Sequence, residues 1–266
     1  MPPPAPDSST SAQSSTSTRT TILERPGLNN STGQRLWDCA IGLSAFLTLH
    51  PSALDASTPL ADLSPADDVL RPSKKQRLEP ATEPSPKRRR LRVVELGAGC
   101  ALASLAAAHV LRSTSGVDAA VLVTDIEATV ETTLRENLEL NARRRDGEVE
   151  VRAGVLDWGE LAPARVDEVV AGAEAVTLLG TDILYNPSSH GVLLSTLISV
   201  LRPPSSPPSS SPPSPPAASA HRHRRALIAY KRRTDGDDAF FQLARDGGLA
   251  VRHVWAWGEV GVLAFE

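Results

Sequence analysis

The chain has 266 residues and a formal net charge of -3, which gives no overall basic signature of a nucleic-acid-binding protein. Its two cysteines, Cys39 and Cys100, indicate a reducing compartment rather than a disulfide scaffold. No apolar run approaches the ~18 residues of a membrane span, and the Pro/Ser/Thr-rich start lacks the apolar core of a secretory signal. We therefore expect neither a nucleic-acid partner nor a membrane partner.

Composition divides the first third of the chain into three parts. Residues 1–20 are rich in Pro, Ser and Thr, which is typical of a disordered tail. Residues 31–50 carry apolar side chains three or four positions apart and predict an amphipathic helix. Residues 51–90 are polar, interrupted by proline and increasingly basic, which predicts a low-complexity insertion.

From residue 91 onward, strand-like and helix-like runs alternate. They are predicted at 92–96, 101–112, 119–124, 127–142, 149–153, 175–181, 188–201 and 226–231. This order favours an α/β fold with a parallel, doubly wound sheet. Residues 203–216 contain only Pro and Ser and mark a second insertion, at about 203–220. Two further strand-like runs, 250–256 and 260–265, predict a C-terminal hairpin, so residues 21–266 are expected to form one domain.

The most informative stretch joins a buried strand to a glycine turn and a helix. Glu95 precedes the turn, which contains Gly97 and Gly99, and a helix-like run begins at Ala101. Such a turn lets the backbone approach a nucleotide-like ligand, and the helix N-terminus offers unpaired N–H groups. A carboxylate at Glu95 suits a cofactor with an ammonium and a sulfonium better than a pyrophosphate. Taken alone, the stretch is also compatible with an ordinary glycine turn.

Three other predicted strand ends carry candidate site residues. Asp125 closes the second strand, where a carboxylate accepts hydrogen bonds from a ribose diol or caps the next helix. Asp157 and Trp158 follow the third strand and could bracket an adenine, although Trp158 also suits a core position. Asp182 and Tyr185 follow the fourth strand, at the sheet edge where α/β proteins bind ligands. A capped turn ended by a proline would use the same two residues.

In their order along the chain, these motifs resemble the class I, seven-strand S-adenosylmethionine-dependent methyltransferases. The similarity is greatest to the protein-lysine methyltransferases that carry an Asp-x-x-Tyr motif. It covers most of residues 33–200, at 37–44, 94–105, 124–126, 136–141, 157–159 and 179–185. The resemblance implies a Rossmann-like seven-stranded sheet, mostly parallel with an antiparallel C-terminal hairpin and helices on both faces. It also implies the cofactor S-adenosyl-L-methionine and direct methyl transfer to a lysine amine, with no metal.

The resemblance implies how the cofactor is held. Gly97 and Gly99 would pass beneath its methionine part, with Glu95 nearby. Asp125 would hold the ribose hydroxyls, and Trp37, in the helix before the sheet, would close over the cofactor.

The remaining roles concern the adenine and the substrate. Asp157 and Trp158 would border the adenine, and Asp182 and Tyr185 would line the entry of the target lysine. The family usually has a third glycine where this chain has Ala101. That alanine is costly if the position needs a positive φ and harmless if it already lies in the first helical turn.

Members of this group modify translation elongation factor 1-alpha, Hsp70-type chaperones and the AAA ATPase valosin-containing protein, so the resemblance implies a protein substrate. We expect a monomer with a cytoplasmic location. A non-catalytic adaptor on the same fold and a small-molecule methyltransferase stay open as alternatives. A dinucleotide enzyme is disfavoured, because Leu102 replaces the third glycine of the usual fingerprint. The basic tracts at 74–75 and 87–90 suit a bipartite nuclear-import signal or a solvated loop.

Overall fold

A single seven-stranded sheet organises the protein. The computed structural model describes residues 20–25, 35–63, 88–142, 149–158, 170–202, 223–233 and 236–266. The strands are β1 (Arg89–Leu96), β2 (Val117–Asp125), β3 (Glu150–Val155), β4 (Ala175–Thr181), β5 (His223–Lys231), β6 (Val251–Trp257) and β7 (Val260–Phe265). Their order across the sheet is β3-β2-β1-β4-β5-β7-β6. Strands β1 to β5 pair in parallel, whereas β7 is antiparallel to both β5 and β6, which confirms the predicted fold class.

Helices connect these strands. In the described residues they are α1 (Asp38–Leu49), α2 (Leu102–Arg112), α3 (Glu127–Thr129), α4 (Arg135–Ala142), α5 (His190–Leu201) and α6 (Gly236–Asp246). A π-helical segment, Val130–Leu134, joins α3 to α4. Short 3-10 helices span Pro51–Leu54, Leu60–Leu63 and Pro187–Ser189.

The central strands of the sheet are buried on both faces. In β1, Leu91 and Val93 belong to one apolar core, which also includes residues of α1, α2 and α4. Val94 and Leu96 belong to a second core, with residues of α5 and α6. Because successive side chains of a strand point to opposite faces, the two cores lie on opposite sides of the sheet, as expected of parallel strands covered by helices.

Several boundaries differ from the sequence predictions. Helix α1 begins at Asp38, and Trp37 is its N-cap with extended backbone (φ -102°, ψ 153°), so the prediction that Trp37 lies within a helix is wrong. Residues 31–34 of that predicted helix lie outside the described residues. Strand β1 starts earlier than predicted. Arg89 and Arg90 pair with β2, but their exposed, charged side chains lack the apolar pattern by which a strand is predicted. Helix α6 was not predicted.

Part of the first predicted insertion is folded. Residues 51–63 bury Leu54, Leu60 and Leu63, and the Thr177 hydroxyl donates a 3.0 Å hydrogen bond to the Leu54 carbonyl. This segment therefore packs on the sheet. The tail at 1–19, the rest of that insertion at 64–87 and the second insertion at 203–222 lie outside the described residues.

Candidate active site

The glycine turn follows β1 directly and has an unusual backbone. Gly97, Gly99 and Ala101 all have positive φ, of 61°, 53° and 66°. The Ala98 N–H donates to the Thr124 carbonyl at 2.9 Å, and the Ala101 N–H donates to the Ala98 carbonyl at 2.8 Å. Ala101 is the N-cap of α2, so it adopts the left-handed conformation that is costly for alanine.

Gly97 lies between the side chains of Ile183 and Trp158, which line the cavity. A Cβ added there would stand 3.1 Å from Ile183 Cγ2 and 3.1 Å from Trp158 Cζ2. Glycine is therefore favoured at this position both by the positive φ and by the close approach of the two side chains.

Asp125, at the end of β2, fixes the glycine turn. Its Oδ2 accepts a 2.7 Å hydrogen bond from the Gly99 N–H, and its Oδ1 accepts a 2.8 Å bond from the Ile126 N–H. Burial raises the pKa of this carboxyl, while the hydrogen bonds from the Gly99 and Ile126 N–H groups act in the opposite direction. The carboxylate is thus held in one orientation at the cavity.

Glu95 was predicted to lie near the methionine part of the cofactor, but its side chain lies outside the cavity. Its side chain is fully buried. Oε2 accepts hydrogen bonds from the Ser104 N–H at 3.0 Å and the Ser104 hydroxyl at 2.5 Å, while Oε1 has no hydrogen-bond partner in the described residues. Burial raises the pKa of Glu95 to about 7. In this arrangement Glu95 binds the start of α2 and does not contact the cavity where a cofactor would lie.

Asp182 lies one residue beyond β4, in a strained turn. Its φ is 58°, and its N–H donates to the Ala229 carbonyl of β5 at 2.9 Å. Arg233 binds its carboxylate with two hydrogen bonds, Nη1 to Oδ1 at 2.5 Å and Nη2 to Oδ2 at 2.6 Å. The buried Cys39 thiol also donates to Oδ1 at 3.7 Å, and burial raises the pKa of that thiol to about 12. Asp182 is therefore already paired with a cation from this chain.

Aromatic side chains surround the same space. Trp37 lies beneath two guanidinium groups, with its ring centre 5.4 Å from Arg35 Cζ and 5.9 Å from Arg233 Cζ. The Tyr185 side chain is 52% exposed, whereas Trp158 is half-buried. The Thr196 hydroxyl donates to the Trp158 carbonyl at 2.8 Å.

These features enclose one cavity of about 460 Å³. Its lining includes eight of the nine predicted site residues: Trp37, Gly97, Gly99, Asp125, Asp157, Trp158, Asp182 and Tyr185. Glu95 is the exception.

Two arginines that line the cavity, Arg35 and Arg233, were not predicted from the sequence. Arg233 follows β5 by two residues, at the same sheet edge as the other site residues. Its position just after the end of β5 could therefore have identified Arg233 from the sequence. No such signal marks Arg35.

None of the described helices is both long and apolar enough to cross a bilayer. No group of three or more His, Cys, Asp or Glu side chains in the described residues could hold a metal ion.

Comparisons with known proteins identify the family of the chain. A family model described as lysine methyltransferase matches residues 16–207. The chain is 30% identical over 172 residues to the Saccharomyces cerevisiae protein-lysine N-methyltransferase EFM3. That alignment covers 63% of this chain and 40% of the yeast protein, so the chain spans less than half of the curated relative's length.

Solved structures give lower similarity. The METTL16 methyltransferase domain is 11% identical, with a TM-score of 0.43, and the alignment covers 70% of this chain and 62% of that domain. The Podospora anserina methyltransferase PaMTH1, solved with SAH bound, is 12% identical with a TM-score of 0.36. Its alignment covers 66% of this chain and 70% of that protein.

Proposed function

Because the chain belongs to the lysine methyltransferase family, we propose that it transfers a methyl group from S-adenosylmethionine to the side-chain amine of a lysine in a protein substrate. Family membership agrees with the enzyme class and the cofactor that the sequence implied. The observation that supports the proposal most strongly is one cavity lined by Gly97, Asp125 and Asp182, which lie at the carboxyl ends of three different strands.

The cavity fits the cofactor in size and in chemistry. Its volume of about 460 Å³ lies in the range of small-molecule and cofactor sites, roughly 300–1,000 Å³. Each oxygen of Asp125 accepts one backbone N–H and keeps a second lone pair, which is what two ribose hydroxyls require. The two aromatic rings, Trp37 and Trp158, supply apolar surface for the rest of the molecule.

The residues divide into two groups by role. Gly97, Gly99 and Asp125 hold the cofactor, with Asp157 and Trp158 at the adenine and Trp37 as a cover. Glu95 acts indirectly, through Ser104 at the start of α2. Asp182 and the exposed Tyr185 form the substrate side.

The main chemical difficulty lies in the substrate amine. A lysine with its reference pKa of roughly 10.4 is almost wholly protonated at pH 7, and removing the proton costs about 4.6 kcal/mol. The bound cofactor supplies an electrophilic methyl group. The site must therefore desolvate the amine and hold it in line, and alignment contributes roughly 7–11 kcal/mol in well-oriented reactions. Tyr185 packs along the lysine stem, and Asp182 orients the amine.

The identity of the substrate is also proposed. The relative from S. cerevisiae is a protein-lysine N-methyltransferase, which favours a protein over a small molecule. Elongation factor 1-alpha, Hsp70-type chaperones and AAA ATPases are the candidates that the resemblance supplies, with the protein acting as a cytoplasmic monomer.

Radiolabel transfer tests the proposal. Purified protein and labelled S-adenosylmethionine are added to a lysate of cells that lack this gene, with Asp182→Ala as the control. We expect a discrete labelled protein band that is lost in the control. A label that appears only in the small-molecule fraction would establish the alternative substrate class. No label, together with no calorimetric binding of S-adenosylhomocysteine, would make the protein a non-catalytic adaptor.

A further inference from the structure

Residues 20–25, here called the strap, run alongside α4 and are held by two asparagines. Asn137 Oδ1 accepts a 2.6 Å hydrogen bond from the Leu23 N–H, and its Nδ2 donates to the Leu23 carbonyl at 3.0 Å. Asn141 makes the same pair of contacts with Thr21, at 3.2 and 2.8 Å. Each carboxamide thus binds the backbone of one strap residue, as a neighbouring strand would.

The spacing of the two asparagines matches the strap. Four residues along a helix rise about 6 Å. Two residues of an extended chain span at most about 7 Å. Asn137 and Asn141 therefore reach alternate residues of the strap. Arg25 adds a bidentate ion pair with Glu136 on the same helix.

Asn137 makes one further contact that Asn141 does not. Its Nδ2 also donates to the Cys100 carbonyl at 3.2 Å, and its side chain is fully buried. A carboxamide nitrogen carries two hydrogens, so it can serve the Leu23 and Cys100 carbonyls at the same time. Asn137 therefore connects the strap to the glycine turn.

The conformation of the glycine turn depends on the orientation of the Cys100 carbonyl. It lies between Gly99 and Ala101, which both have positive φ, and it lines the cavity. Fixing its carbonyl fixes the plane of the Cys100–Ala101 peptide. The N–H of that peptide donates to the Ala98 carbonyl, so the conformation of the turn depends on this plane.

We propose that Asn137 is a positioning residue for cofactor binding: it holds the glycine turn in its binding conformation through the Cys100 carbonyl, and the strap in turn fixes the Asn137 carboxamide. This inference rests on the proposed function, because it takes the cavity to be the cofactor site. Asn137 does not line the cavity and acts only through the turn. The strap therefore supports the cofactor site from outside the cavity, although it lies more than 70 residues before the turn in the chain.

Two alanine variants of the full chain test the proposal. Asn137→Ala removes the contacts with both the strap and the turn, whereas Asn141→Ala removes its contacts with the strap and with the Asn137 carbonyl but leaves the Cys100 bond. Calorimetry with S-adenosylhomocysteine measures affinity, and urea unfolding measures stability. A net hydrogen bond of about 1 kcal/mol corresponds to about a fivefold change in affinity, so we expect Asn137→Ala to bind about fivefold more weakly. Asn141→Ala should stay within about twofold of the wild type while losing comparable stability.

Other outcomes are distinguishable. Wild-type affinity in Asn137→Ala, or an equal loss of affinity in both variants, would overturn the inference and leave the proposed function intact. A wild-type protein that binds no S-adenosylhomocysteine would overturn both. If Asn137→Ala fails to fold, Asn137→Asp replaces it: the aspartate keeps the acceptor for the Leu23 N–H but lacks the amide donor to Cys100. Wild-type affinity in that variant would also overturn the inference.

Discussion

Arg233 and Asp182 form a two-point ion pair at the cavity, although 51 residues separate them in the chain. The Asp182 side chain is 8% exposed and that of Arg233 is 36% exposed. A carboxylate that is buried to this extent is unfavourable without a cation, so the arginine stabilises an acid that the substrate side requires.

The stability of this pair is testable with an adjacent arginine as the control. Arg233→Met leaves the Asp182 carboxylate without its cation and should cost about 1–2 kcal/mol of unfolding free energy, allowing for partial solvent screening. Arg232→Met breaks an exposed pair with Asp238 and should cost less than about 0.5 kcal/mol. Urea denaturation of both variants checks the difference, and equal losses would contradict it.

A side chain at position 97 should weaken cofactor binding. Gly97→Ala places a Cβ 3.1 Å from Trp158 and Ile183, at a φ of 61°, so the cavity walls must shift. We expect the affinity for S-adenosylhomocysteine to fall by about tenfold, since overpacking of this kind costs roughly 1–3 kcal/mol.

Gly116→Ala is the matched control for this substitution. Gly116 has a φ of 76°, and a Cβ there meets nothing within 4 Å. Both variants carry a similar backbone strain of about 1 kcal/mol, but only the first should lose binding. Equal affinity in the two variants, measured by calorimetry, would show that the cofactor does not depend on these walls.

Glu95 should make stability fall as the pH rises from about 4.5 to about 7. Burial raises its folded-state pKa from 4.5 to about 7, so the folded protein binds more protons than the unfolded chain across this interval. The ionised form is penalised by about 3 kcal/mol above pH 7, at roughly 1.36 kcal/mol per unit.

Glu95→Gln removes this ionisation and keeps an oxygen that accepts from Ser104. Relative to the wild type, the variant should therefore gain about 2–3 kcal/mol of unfolding free energy between pH 5 and pH 8, because part of the penalty on Glu95 is already present at pH 5. Urea denaturation at both pH values measures the gain. Parallel pH dependences in the two proteins would refute the assignment.

Ala101 should be nearly neutral to glycine substitution. Ala101→Gly relieves about 1–2 kcal/mol of left-handed strain and loses about 0.8 kcal/mol from a buried methyl group. Ala107→Gly, equally buried in the middle of α2, loses both the methyl group and helix propensity, about 2 kcal/mol in total. Thermal or urea unfolding should separate the two variants by at least about 1 kcal/mol, and similar losses would mean that Ala101 is unstrained.

Local patterns in the sequence determined the α/β class, most strands and most of the site. Strand β4 and the C-terminal hairpin appear where the apolar runs predict them, since short apolar runs bounded by turn residues are local signals. Gly97, Asp125 and Asp182 could be grouped from sequence because parallel strands present their carboxyl ends at one edge of the sheet.

Contacts between distant residues were decided only by the tertiary structure. The burial of Glu95 against Ser104, the pairing of Arg233 with Asp182 and the binding of Leu23 by Asn137 leave no periodic pattern in the chain. Hydrophobic periodicity reports which face of an element is buried, but it does not report which polar partner meets it. Leu23 and Asn137 are 114 residues apart, and only the packing of α4 beside the strap brings them into hydrogen-bonding distance.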